Sequence, residues 1–129
     1  MPNPIRFVLN GQETEIAGLS PSTTVLDWLR GPGALPGTKE GCGEGDCGAC
    51  TIAVAEPRGG GTAWRALNSC LLLMPQIDGC AVMTVEGLKR PGGALHPVQR
   101  AMVDSHGTQC GFCTPGFVMA MFVYHAGGE

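Results

Sequence analysis

Gly41-Cys42-Gly43-Glu44-Gly45-Asp46-Cys47-Gly48-Ala49-Cys50 decides how this chain is read. Its cysteines follow the pattern Cys42-x4-Cys47-x2-Cys50, and Cys70 comes after nineteen intervening residues. Four thiolates gripping two sulfide-bridged irons must converge from two sides. Three therefore come from one wrapped loop and the fourth from elsewhere, which is the ligand spacing of a plant-type [2Fe–2S] centre. The glycines are the second half of the signal. A loop that circles a cluster and turns its N–H groups towards sulfur needs left-handed backbone angles and close approach, and glycine supplies both.

Composition narrows the class. The chain has 129 residues, enough for one ordinary domain or two small ones. Its 21 glycines and 10 prolines predict much loop and turn. A net charge of −3 without a Lys/Arg cluster argues against a nucleic-acid partner. No apolar run reaches the ~18 residues of a membrane span, so no membrane association is expected. Met1-Pro2-Asn3-Pro4-Ile5-Arg6 has neither the basic nor the apolar region of a secretory leader. Seven cysteines in that setting read as ligands or redox groups, not disulfide staples, and the expected compartment is cytoplasmic.

Outward from the cysteine loop, Ile5, Phe7 and Leu9 alternate with Arg6, Val8 and Asn10. Asn10-Gly11 then predicts a hairpin, with Gln12 to Ile16 returning. Ser20-Pro21-Ser22-Thr23 offers caps for a short helix over Thr24–Arg30, stopped by Gly31-Pro32-Gly33. Thr51–Ala55 reads as a buried strand, Gly59–Gly61 as a turn, Thr62–Ala66 as its partner and Cys80–Val85 as a last strand. Short strands around one helix, with a cluster loop at the edge, predict a β-grasp domain of the α+β class over residues 1–88.

Residues 89–95 read as a linker, and the character then changes. Pro97 suits the first turn of a helix to about Ser105. Cys110-Gly111-Phe112-Cys113 follows, then Thr114 as a cap, Pro115 at the first helical position, and an almost wholly apolar helix over Gly116–Tyr124. A helix apolar on every face is expected to be buried. Residues 96–129 are too few to surround it, so they are expected to be the first part of an all-α domain.

These segments, taken in order, resemble the iron–sulfur region of the molybdenum hydroxylases, most closely the small subunit of bacterial xanthine dehydrogenase. The carrying stretches are Gly37-Thr38-Lys39-Glu40-Gly41-Cys42 through Thr51, Leu67-Asn68-Ser69-Cys70 through Glu86-Gly87-Leu88, and Leu95-His96-Pro97-Val98-Gln99 through Phe117. The resemblance implies a plant-type ferredoxin domain with one [2Fe–2S] cluster on Cys42, Cys47, Cys50 and Cys70. It also implies a helical domain whose own [2Fe–2S] cluster takes its first two ligands from Cys110 and Cys113. The two further ligands, a Cys-x-Cys segment in the family, do not occur here, so a fragment is expected. By the same resemblance Gln109 lies beside the molybdopterin. Partner domains or chains would carry molybdopterin and FAD. Electrons from hypoxanthine or xanthine oxidation would pass one at a time through the helical-domain cluster and the plant-type cluster to FAD and NAD. No complete catalytic site is expected in this chain. Aldehyde-, aromatic-acyl- and carbon monoxide-oxidising relatives are the alternatives within the family.

The residues themselves leave rivals open. Four cysteines can hold structural zinc, although such sites usually join two closely spaced pairs. Cys110-x2-Cys113 at a helix start can be a redox dithiol, its thiolates favoured by the positive helix end. A stand-alone ferredoxin-like carrier is the competing function, and an apolar helix argues against it. Cys80 reads as core, His96, His106 and His125 as capping or surface groups, and Glu40, Glu44 and Asp46 as solvated loop charges.

Overall fold

The computed structural model describes residues 4–44, 47–56, 63–89, 93–107 and 111–126. The expected Gly59–Gly61 turn, Thr62, residues 90–92 of the expected linker, Gln109 and Cys110 lie outside these ranges.

The N-terminal hairpin forms where the alternation and Asn10-Gly11 predict it: β1 spans Ile5–Leu9 and β2 spans Gln12–Ile16, antiparallel. Asn10 and Gly11 both take positive φ, 50° and 84°, which matches the twist of a two-residue turn. The short helix α1, Val25–Arg30, buries Val25, Leu26, Trp28 and Leu29. Its N-cap is Thr24, whose hydroxyl accepts from the Asp27 N–H at 3.1 Å, so the helix begins one residue later than its sequence suggests.

β3 occupies Thr51–Ala55 and pairs antiparallel with β4, Trp64–Asn68. A second antiparallel ladder joins β3 to β5, Ala81–Met83. β5 also runs parallel to β1, giving the order β2-β1-β5-β3-β4, a β-grasp sheet of the α+β class. β5 is shorter than the expected Cys80–Val85 because Val85–Leu88 turns into a 3-10 segment.

Two hydrophobic clusters lie on opposite faces of this sheet. Ile5, Phe7, Ile52, Val54 and Val82 pack with Trp28, Leu29, Met74 and Ile77 on the α1 side. Ala53, with Trp64, Ala66 and Met83 at its edge, packs with Val118, Met119, Phe122 and Val123 on the other. Those last four belong to α3, Thr114–His125, and α2, Pro97–Asp104, flanks it through Val98 and Met102.

Three readings of the helical part change. Thr114 is the first residue of α3, and the cap position falls on Cys113, which makes no side-chain cap bond. The apolar helix is covered mainly by the sheet, with α2 along one side. It is also only half covered: Phe117 is 58% and Tyr124 85% exposed. His96 takes the capping role open to it, its Nδ1 accepting from the Val98 N–H at 3.2 Å. Among the described residues no helix is long and apolar enough to cross a membrane.

Candidate metal–sulfur site

The strand register explains how Cys70 reaches the cysteine loop. β3 begins one residue after Cys50, and β4 ends two residues before Cys70, with Thr51 opposite Asn68. Ser69 closes that end, its N–H and Oγ both donating to the Cys50 carbonyl at 3.3 and 2.7 Å. Cys50 and Cys70 are thereby neighbours although the sequence holds them 20 positions apart.

At the other end, Lys39 N–H donates to the Ala49 carbonyl at 3.2 Å, pinching the loop into a neck. The Arg30 guanidinium, last residue of α1, clamps that neck by donating to the Pro36 and Thr38 carbonyls at 2.8 and 2.9 Å.

Inside the loop, backbone donors turn onto sulfur. Cys42 N–H reaches Cys47 Sγ at 3.3 Å, and Cys47 N–H reaches Cys42 Sγ at the same distance. Glu44 N–H adds a second donor to Cys42 Sγ at 3.3 Å, and Ala49 N–H a second to Cys47 Sγ at 3.4 Å. Oriented N–H groups of this kind stabilise negative charge on thiolate and on cluster sulfur. Gly43 and Gly48 stand at φ of 69° and 74°, the left-handed geometry that turns the amides inward. A Cβ on Gly41 would come 2.5 Å from Cys47 Sγ, so the sulfur's place depends on a missing side chain. The donor set therefore fits a thiolate-ligated cluster.

Of the expected ligands, Cys42 and Cys47 are exposed, Cys70 is half-buried and Cys50 is buried. Among the described residues no three His, Cys, Asp or Glu side chains gather around a single ion position. Thr38, buried at the neck, has a hydroxyl with no hydrogen-bond partner among the described residues. Cys113 is exposed at the start of α3, and that start rests on the loop. A Cβ on Gly116 would collide with the Gly48 carbonyl oxygen, and the Phe112 ring lies close to Gly41. The two cysteine segments are thus brought together, a juxtaposition no spacing in the sequence announces. Sequence reasoning also missed Gly116 and Thr38 as parts of this surround.

A β-grasp sheet presenting such a loop defines a class, the iron–sulfur binding proteins. The chain belongs to the 2Fe-2S iron-sulfur cluster binding domain family, which it matches over residues 7–74, and residues 84–127 match a second family, the [2Fe-2S] binding domain. It is 45% identical over 118 residues to xanthine dehydrogenase of Drosophila pseudoobscura pseudoobscura, covering 90% of this chain and 9% of that protein. Indole-3-acetaldehyde oxidase of Zea mays is 43% identical over the same 118-residue length, again with 90% and 9% coverage. Among solved structures, quinoline 2-oxidoreductase from Pseudomonas putida superposes with a TM-score of 0.78 at 36% identity, covering 90% of this chain and 65% of that one. An aldehyde oxidoreductase from Desulfovibrio desulfuricans superposes at 0.81 with 32% identity, covering 95% and 12%. The chain thus spans about a tenth of the enzymes it matches in sequence, and these relatives are molybdenum hydroxylases of the xanthine dehydrogenase and aldehyde oxidase type.

Proposed function

We propose that this chain is the iron–sulfur electron-transfer part of a xanthine dehydrogenase-type molybdenum hydroxylase. The observation that carries the reading is the loop of Cys42–Cys50, whose backbone N–H groups converge on the Cys42 and Cys47 sulfurs within a chain matching two 2Fe-2S families in order. Cys42, Cys47, Cys50 and Cys70 would hold the first cluster. Cys110 and Cys113 would supply half of a second, completed by ligands from elsewhere in the assembly. Residues 1–88 form the plant-type domain in this reading, 89–95 the linker and 96–129 the first helices of the helical domain.

A [2Fe–2S] cluster accepts and returns one electron at a time. What the chain contributes is position and electrostatics. The neck bonds fix the loop, the amides offset thiolate charge, and the exposed side of Cys42 and Cys47 faces outward, where an acceptor such as a flavin domain can approach. In this reading partner domains or chains carry molybdopterin and FAD, with Gln109 beside the pterin. Substrate choice belongs to the molybdenum-binding part, so oxidation of hypoxanthine and xanthine is a property of the assembly. Reduced thiolate ligands suit a cytoplasmic setting.

The test is iron and acid-labile sulfide analysis of anaerobically purified protein, with electron paramagnetic resonance of the dithionite-reduced form. About two irons per plant-type site and an S = 1/2 signal are expected. Zinc in place of iron would sink the reading.

A further inference from the structure

The approach to the cysteine loop, two residues before the Lys39 neck, is held by a side chain 49 positions away. Gly37 N–H donates to Glu86 Oε2 at 2.6 Å, a short bond of the charge-assisted kind. The other carboxylate oxygen, Oε1, accepts from the Thr84 hydroxyl at 2.9 Å. Thr84 is fully buried and tied to the β1–β2 turn on two sides. Its N–H donates to Asn10 Oδ1 at 2.8 Å, and its Oγ accepts from Asn10 Nδ2 at 3.0 Å. The relay therefore runs Asn10, Thr84, Glu86, Gly37, with a donor matched to an acceptor at each step.

Two glycines make room for it. A Cβ on Gly37 would meet Glu86 Oε2 at 2.6 Å, and one on Gly87 would collide with the Asn10 side chain. The same 3-10 segment, Val85–Leu88, also meets the helical part. Leu88 packs with α3, and the Val85 carbonyl accepts from Gln99 Nε2 at 3.5 Å. A carboxylate spending one oxygen on a loop amide and the other on a buried hydroxyl is committed to holding that loop.

We propose that Glu86 is the positioning residue that fixes the segment leading into the Cys42–Cys50 loop, through its bond to Gly37, and so governs how firmly the loop retains its cluster. This rests on the cluster reading above, but the anchor can be judged without it. In the holoprotein, Glu86→Ala is expected to speed iron loss to a chelator about tenfold, the effect of losing one charge-assisted hydrogen bond. Amide exchange at Gly37 and Lys39 should quicken by a similar factor. Glu86→Gln keeps an oxygen for Gly37 N–H, so it should stay within about threefold of wild type in both measurements. Thr84→Val, nearly isosteric, removes the hydroxyl that orients the carboxylate and should fall between them; it also serves if Glu86→Ala fails to fold.

Wild-type iron loss and amide exchange in Glu86→Ala would overturn the proposal. So would a Glu86→Gln protein as defective as Glu86→Ala, because the retained acceptor would then count for nothing. If the wild-type holoprotein carried zinc, the cluster reading would fail while amide exchange still decided the role of Glu86.

Discussion

β1 and β3 are both five-residue strands flanking β5 in the interior of one sheet, yet β1 sends alternate side chains to solvent while β3 buries both faces. In β1, Ile5 and Phe7 enter the α1-side cluster, and Arg6 and Val8 face outward. In β3, Ile52 and Val54 enter that same cluster, while Ala53 between them meets α3. The difference lies in side-chain size. A helix can lie close on a strand only where the strand offers small residues, and Thr51-Ile52-Ala53-Val54-Ala55 offers them on one face alone. The sheet is therefore half open and half sandwiched, with the cysteine loop at the end of the sandwiched half.

Paired substitutions can break that contrast. Phe122→Ala and Ile52→Ala remove large side chains from opposite faces, and each is expected to cost about 2–5 kcal/mol. Trp28 and Trp64 report separately, since Trp28 stacks edge-on with Phe7 and Trp64 with Phe122. In denaturant titrations of single-tryptophan proteins, Phe122→Ala should disturb Trp64 before Trp28, and Ile52→Ala should shift both together. Simultaneous loss in both variants would mean that the two faces are one cooperative unit.

Ala53→Leu adds volume where the helix is closest. A cost of about 1–3 kcal/mol is expected, visible as faster amide exchange in α3 with β1 unchanged. Smaller again is Thr24→Ala, which removes the N-cap hydroxyl of α1 and should lower stability by about 1 kcal/mol in thermal unfolding. Phe117→Ser, on the uncovered side of α3, should stay within about 0.5 kcal/mol of wild type. A larger loss there would show that the exposed stripe is packed in the folded protein.

How far the sequence carried each half follows the same contrast. Alternation plus Asn10-Gly11 is a local signal, so the hairpin was legible to the residue. The apolar run Thr51–Ala55 read as a strand for the same local reason. The cysteine loop was legible because glycine and thiol spacing answer to one geometric demand. What was not legible is non-local. Nothing near residue 114 says that α3 will lie on Ala53, and nothing near Gly37 names Glu86 as its partner. The cap of α3 was misassigned because Thr114 has the preferred chemistry while the turn geometry gives the position to Cys113.

Because β5 lies between β1 and β3, the nascent hairpin leaves the ribosome with an unpaired edge and keeps it until residue 83 has been translated. Glu86 emerges three residues later still, so the fastening of Gly37 is among the last events of synthesis for this part of the chain. A truncation ahead of β5 and Glu86 should accordingly yield an aggregation-prone polypeptide, with the β1 edge still open.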